Sequence, residues 1–312
     1  MRQGARILLH PGESDRLNWP EKAHLILPLI AAILFAFSAL ALKAASNKQA
    51  GIAGTTILAN IGIMLGFSVF IDWSARPFIP DPFWPCVVLG VLFFLGQIFT
   101  MLSIARGAVS VATPVMSSKV VMVAFVLAFY YARPLGWTTW VAGLMVMLGI
   151  ACMQSGTKDA AAGDRKRVLT AVICALLAAM SFAVYDVLTH VYSEQWKYEK
   201  VVPFGMAVCL LLSVTLVPFM EGSLRTLLTS KMLLLSVLLM TLQSLVIITS
   251  IGWFGDAANI NIVYASRGIW SIALAWLLGS WFGVAEVSQP GVAVRRLLGA
   301  TIILAAIVLV LL

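Results

Sequence analysis

Charge is scarce in this sequence. Lys, Arg, Asp and Glu make up 11% of its 312 residues and 61% are hydrophobic, where an ordinary soluble domain carries about 25% charged and roughly 45–50% apolar residues. A water-soluble fold of this size cannot hide so much apolar side chain, so the shortage of charge excludes that class and leaves a bilayer as the natural solvent. Cysteine is sparse too. Cys86, Cys152, Cys174 and Cys209 lie in apolar stretches without CxxC spacing, which excludes a disulfide framework or zinc site and leaves small core residues. No Walker loop, HExxH, GxSG or GxGD motif is present. Gly252-Trp-Phe-Gly-Asp256 only approximates the last, and its aspartate falls in a loop. These absences argue against ATP hydrolysis and intramembrane catalysis, so neither an enzyme nor a cofactor nor a metal is expected. The net charge of +8 is scattered over loops and does not point to nucleic acid.

What is present is a series of apolar runs. Residues 1–24 form a polar tail of mixed charge, and the first run, from Leu25, is too long for a signal peptide. A spanning helix needs about 20 mostly apolar residues. By that measure helices are expected near 25–45, 53–73, 83–105, 108–131, 135–155, 168–190, 201–220, 232–254, 257–280 and 293–312. A polar linker at 156–167, with Lys158, Asp159, Asp164, Arg165, Lys166 and Arg167, divides them into halves of 25–155 and 168–312. The short links near 106 and 256 make helices three and four, and eight and nine, antiparallel neighbours.

The halves carry similar markers in the same order. Ser38…Lys43 precedes Ser181…Asp186 by 143 positions, Gln97 matches Gln243, and Ser118-Lys119 precedes Ser266-Arg267 by 148. Five helices per half make the second half enter the membrane from the opposite side, so the expected fold is all-α, ten transmembrane helices as two inverted five-helix repeats. That architecture favours alternating access around a site at the repeat interface.

The ten-helix layout and the glycine-containing closing stretches Gly143-Leu-Met-Val-Met-Leu-Gly149 and Gly299-Ala-Thr-Ile-Ile-Leu-Ala305 resemble the drug/metabolite transporter superfamily, in its EamA-like group. The resemblance covers most of the chain from Leu25 onward. It implies a multi-pass transporter in a bacterial inner membrane with cytoplasmic termini. The chain departs from the family where an acidic-basic pair often follows helix four; here Ala132-Arg133 stands, and only the second half keeps an acid nearby, at Glu286. The loop cations show a slight excess on the side opposite the N terminus, against the family orientation under the positive-inside rule, whereas the basic tail favours it.

Lys119 and Arg267 fall near the middle of helices four and nine, where a charge costs roughly 2.5–3.5 kcal/mol and lies on the order of 15 Å from either surface. Such residues either pair with a carboxylate of the protein, for example Asp186, or meet an anionic or zwitterionic substrate in a cavity; the second reading is preferred. The plastid phosphate translocators of the same superfamily are similar in placing basic residues on these two helices. Candidate neighbours are Tyr264, Trp270 and Ser271, three to four residues from Arg267 or from each other, together with Ser117 and Ser118. Trp270 is either a stacking partner for Arg267 or a core filler. Gln97 and Gln243 either line the cavity or bridge helices. Asp186, placed about four residues from the end of helix six, is a candidate for proton coupling, a partner for a basic residue, or a helix-end charge. Lys43 snorkels.

The favoured function is a secondary transporter, working as monomer or homodimer, for a small anionic or zwitterionic metabolite. The alternatives are a proton-coupled exporter, such as an antiporter of amino acids or amphipathic compounds, and, in another class, a membrane sensor or structural subunit that transports nothing.

Overall fold

The computed structural model describes residues 25–46, 51–71, 73–74, 78–106, 115–130, 135–154, 165–220, 224–278, 281 and 290–311. The N-terminal tail, most of the linker, Arg133 and Glu286 lie outside them, as does the side chain of Lys43. The described secondary structure is helical: α1 Ile26–Ser46, α2 Ile52–Phe67, α3 Trp84–Arg106, α4 Lys119–Phe125, α5 Trp137–Gln154, α6 Arg165–Trp196, α7 Tyr198–Ser213, α8 Leu224–Thr229, α9 Lys231–Phe254, α10 Ala257–Tyr264, α11 Arg267–Leu278 and α12 Pro290–Leu311. Seven helical stretches are long and apolar enough to cross a membrane, among them Lys166–Trp196 and Ala257–Leu278, and three shorter apolar ones cover Ile26–Leu42, Lys119–Phe129 and Trp137–Met153. The protein is therefore an integral, multi-pass membrane protein.

The helices pair by small-residue contact, the device available when lipid supplies no hydrophobic drive for association. Between α1 and α9 two serines exchange bonds. The Ser38 hydroxyl donates to the Ser236 carbonyl at 2.9 Å, and the Ser236 hydroxyl donates to the Ser38 carbonyl at 3.0 Å. Between α3 and α6, the Ser103 hydroxyl donates to the Ala171 carbonyl at 2.8 Å. α5 and α12 touch backbone to backbone: a Cβ on Gly149 would lie 2.8 Å from the Gly299 carbonyl oxygen, and one on Gly299 would collide with that of Gly149. α2 packs against α7 and α9, α3 also against α7, α4 against α6, and α11 against α1.

The link after α9 is as short as expected, and its chemistry explains why. Gly255 closes α9 in the left-handed region at φ 70°, its N–H donating to the Ile251 carbonyl at 3.1 Å. Asp256 then caps α10, its carboxylate accepting from the Asn259 N–H at 3.4 Å. A left-handed glycine followed at once by an N-cap is enough to reverse the chain.

Three sequence expectations need correcting. Helix six does not end near 190. α6 continues to Trp196 because Val191 and Tyr192 stay buried and Trp196 packs edge-on against Trp84 and Tyr192. Asp186 is thus ten residues from the helix end rather than about four. Helices four and nine are not continuous either: turns interrupt them at Ser117-Ser118 and Ala265-Ser266.

Candidate functional site

The two interruptions have the same construction. In the first, the N–H groups of Ser118, Val120 and Met122 donate to the carbonyls of Val115, Ser117 and Ser118 at 3.1, 3.2 and 2.9 Å. In the second, those of Ser266, Gly268 and Trp270 donate to Val263, Ala265 and Ser266 at 3.1, 3.3 and 3.2 Å. Every donor and acceptor has its counterpart 148 positions on. Bonds spanning three residues tighten the helix locally, and Lys119 and Arg267 are each the first residue after the turn. The two cations share one more feature. The Lys119 Nζ lies 5.6 Å from the Phe182 ring of α6, and the Arg267 Cζ 4.9 Å from the Phe35 ring of α1.

Their electrostatic partners differ. The Lys119 Nζ sits 2.7 Å from Asp186 Oδ2, so the ion pair raised as an alternative in the sequence is formed. Asn261 donates to the same oxygen at 2.7 Å and is itself anchored on the Ala257 carbonyl at 2.8 Å. Asp186 is buried, while about a fifth of the Lys119 side chain is exposed. Arg267, by contrast, has no carboxylate within 4.0 Å among the described residues. Its Cζ lies 4.5 Å from the Tyr264 ring, and Tyr264 meets Phe35 edge-to-face with centroids 6.3 Å apart and planes 77° apart. The guanidinium occupies the corner between those rings, where cation–π attraction in a poorly solvated setting contributes on the order of 2 kcal/mol.

Lys119 and Arg267 line one cavity, together with Met116, Ser117, Asn261 and Tyr264. The space available to water there is about 30 Å³, room for roughly two waters and too little for a metabolite.

The remaining candidates lie outside the lining. The Ser271 hydroxyl donates to the Arg267 carbonyl one turn back at 2.8 Å. The Ser118 hydroxyl is 4.0 Å from Met122 Sδ, and its neighbour Ser117 reaches the cavity instead. Trp270 packs with Ala36, Leu40 and Leu274, and the rings on Arg267 are Phe35 and Tyr264. Gln97 exchanges two bonds with Asn60, at 2.9 and 2.8 Å, and Asn60 also donates to Ser213 at 2.7 Å. Its amide therefore bridges α2, α3 and α7. Gln243 is buried within α9. Sequence reasoning missed Asn261, Phe35 and Phe182. Asn261 carried the signal that flagged Gln97, an amide in an apolar run; the two phenylalanines carried none.

Residues 22–154 match the EamA-like transporter family. A solved crystal structure of a protein is similar over 93% of this chain and 96% of its own, with a TM-score of 0.67 at 16% identity, a likeness of fold. No curated protein matches. The family match is confined to the first half of the chain, and the apolar helices on both sides of it agree in describing a multi-pass membrane protein.

Proposed function

We propose, from the premise that residues 22–154 are EamA-like, that this protein is a secondary active transporter for a small anionic or zwitterionic metabolite. It works by alternating access around a central site between two inverted five-helix repeats, residues 25–155 and 168–312, with 156–167 as the linker. The observation that carries the reading is the pair of matching breaks in helices four and nine, each delivering a cation to one cavity. Broken helices at mid-membrane are where carriers hold polar substrates, because the unwound backbone and the side chains around it replace water. Seven long and three short apolar helical stretches among the described residues suit the ten spans of this reading. The packing also supports the repeat. α1 on α9 has its counterpart in α6 on α3, α2 on α9 in α7 on α3, and α11 on α1 in α4 on α6. The family match ends at residue 154, where α5 ends. In this reading the cavity is too narrow for substrate as it stands, and rocking of one half against the other opens it to each side in turn. A bacterial inner membrane with cytoplasmic termini is the proposed setting.

The test is uptake into proteoliposomes of a panel of labelled carboxylates, amino acids and organic phosphates. Arg267→Ala should abolish transport of the accepted compound while leaving the folded protein intact by size exclusion. Full transport by a folded Arg267→Ala protein would refute the site.

One observation favours a second reading, proton-coupled export. Asp186 is a buried carboxylate held by the cavity-lining Lys119 and Asn261, so a proton on it would loosen Lys119. In that reading Asp186→Asn removes the response of transport to an imposed pH gradient while exchange at equal pH persists.

A further inference from the structure

We infer that Asp186 is a specificity-determining residue: it occupies Lys119 as a resident counter-anion, so among the described residues the site presents one free cation and selects a singly charged carboxylate over a dianion such as a phosphate ester. The inference rests on the proposal that the cavity is the substrate site.

The charges facing the cavity settle the sign. Lys119 and Arg267 contribute two positive charges and Asp186 one negative, while the other polar groups in the lining, Ser117, Asn261 and the Tyr264 phenol, are neutral. The net value among the described residues is therefore one positive charge. A monoanion entering such a space is neutralised. A dianion leaves one negative charge uncompensated in a poorly solvated pocket, and an unpaired buried charge is among the most costly arrangements in a protein. A dianion could instead take Lys119 for itself, but only by stripping a buried carboxylate of its ammonium partner at 2.7 Å. Asn261, fixed on the Ala257 carbonyl, opposes that by holding Asp186 Oδ2 toward Lys119. Two basic residues on helices four and nine thus do not amount to a two-cation phosphate site in this chain.

The surroundings of Arg267 specify the rest of the ligand. A guanidinium is planar and offers a fork of donors that matches a carboxylate edge to edge. Phe35 and Tyr264 pack on it, so a carboxylate is expected to meet it through its N–H donors rather than across its flat face. Met116, Val120 and Ile150 line the same space, so the carboxylate is expected to carry a small apolar body.

The experiment uses the purified full-length protein in nanodiscs at pH 8. Benzoate is the monoanion, phenyl phosphate the dianion (its second ionisation lies near pH 6) and benzamide the neutral control, with affinities read from calorimetric titration. The wild type should bind benzoate at least about tenfold more tightly than phenyl phosphate and benzamide not at all. Asp186→Asn, which raises the site to two positive charges, should reverse that order, strengthening phenyl phosphate by on the order of tenfold or more. The double variant Lys119→Gln/Asp186→Asn restores one positive charge and should restore the preference for benzoate; it also serves if Asp186→Asn alone misfolds. A wild type that binds phenyl phosphate as well as benzoate overturns the inference while leaving the anion site standing. A double variant that prefers the dianion overturns it likewise. A wild type that binds neither anion overturns the site itself, and the inference with it.

Discussion

Replacing Lys119 by methionine isolates the ion pair energetically. The substitution keeps the length of the side chain and removes only the ammonium, leaving Asp186 buried with Asn261 as its remaining donor. Breaking a buried pair by removing one partner costs about 3–5 kcal/mol, because the other charge is left uncompensated. The surviving Asn261 bond and the partial exposure of Lys119 put this case at the low end, about 3 kcal/mol. Replacing both partners, Lys119→Met with Asp186→Leu, removes the stranded charge and costs only about 1 kcal/mol, chiefly for the bond that Asn261 loses. Asn261 keeps its bond to the Ala257 carbonyl. The double-mutant cycle should therefore show an interaction of about 2 kcal/mol or more beyond additivity. Unfolding in mixed micelles by SDS, followed through the fluorescence of the ten tryptophans, measures all four proteins. A Lys119→Met cost below about 1 kcal/mol, or a double variant no better than the sum of its singles, would refute the reasoning.

Three further outcomes follow from local geometry. Gly255→Ala should lower stability by about 2 kcal/mol or more in the same unfolding assay, since the added methyl meets the His190 ring and a left-handed residue other than glycine is strained by roughly 1–2 kcal/mol. Gly149→Leu should separate α5 from α12 against the Gly299 carbonyl, and overpacking of about 1–3 kcal/mol should appear as reduced yield of monodisperse protein. Asn60→Leu leaves the Gln97 amide without its reciprocal partner and should cost about 1–2 kcal/mol; Asn60→Leu with Gln97→Leu should recover part of that loss.

The class of the protein was legible in the sequence because it follows from composition, which no folding detail can alter. The spacing of the apolar runs was legible too, since each helix must satisfy its own backbone in lipid. Expected and observed limits agree closely for α1, α3, α5 and α9. The tight reversal at Gly255-Asp256 could be read locally, as left-handed glycine and N-cap are properties of single residues. An offset of 148 between Ser118-Lys119 and Ser266-Arg267 could be read, and the backbone bonds around both pairs keep it.

Other features depended on what the rest of the chain brings near. Alanine and serine at 265–266 do not announce a break in an apolar run; the interruption is a choice of the packed bundle. The sequence offered Lys119 two fates and could not choose between them, because an ion pair across 67 positions of chain depends on where α4 and α6 cross. It placed Trp270 beside Arg267 by helical periodicity, but which ring covers the guanidinium depends on what α1 brings near, and Phe35 takes that place. By itself the sequence determined that two costly cations fall within long apolar runs. Only the tertiary structure decided that one of them, Lys119, meets a carboxylate while Arg267 has none within 4.0 Å among the described residues, because charge compensation is a property of distance in space.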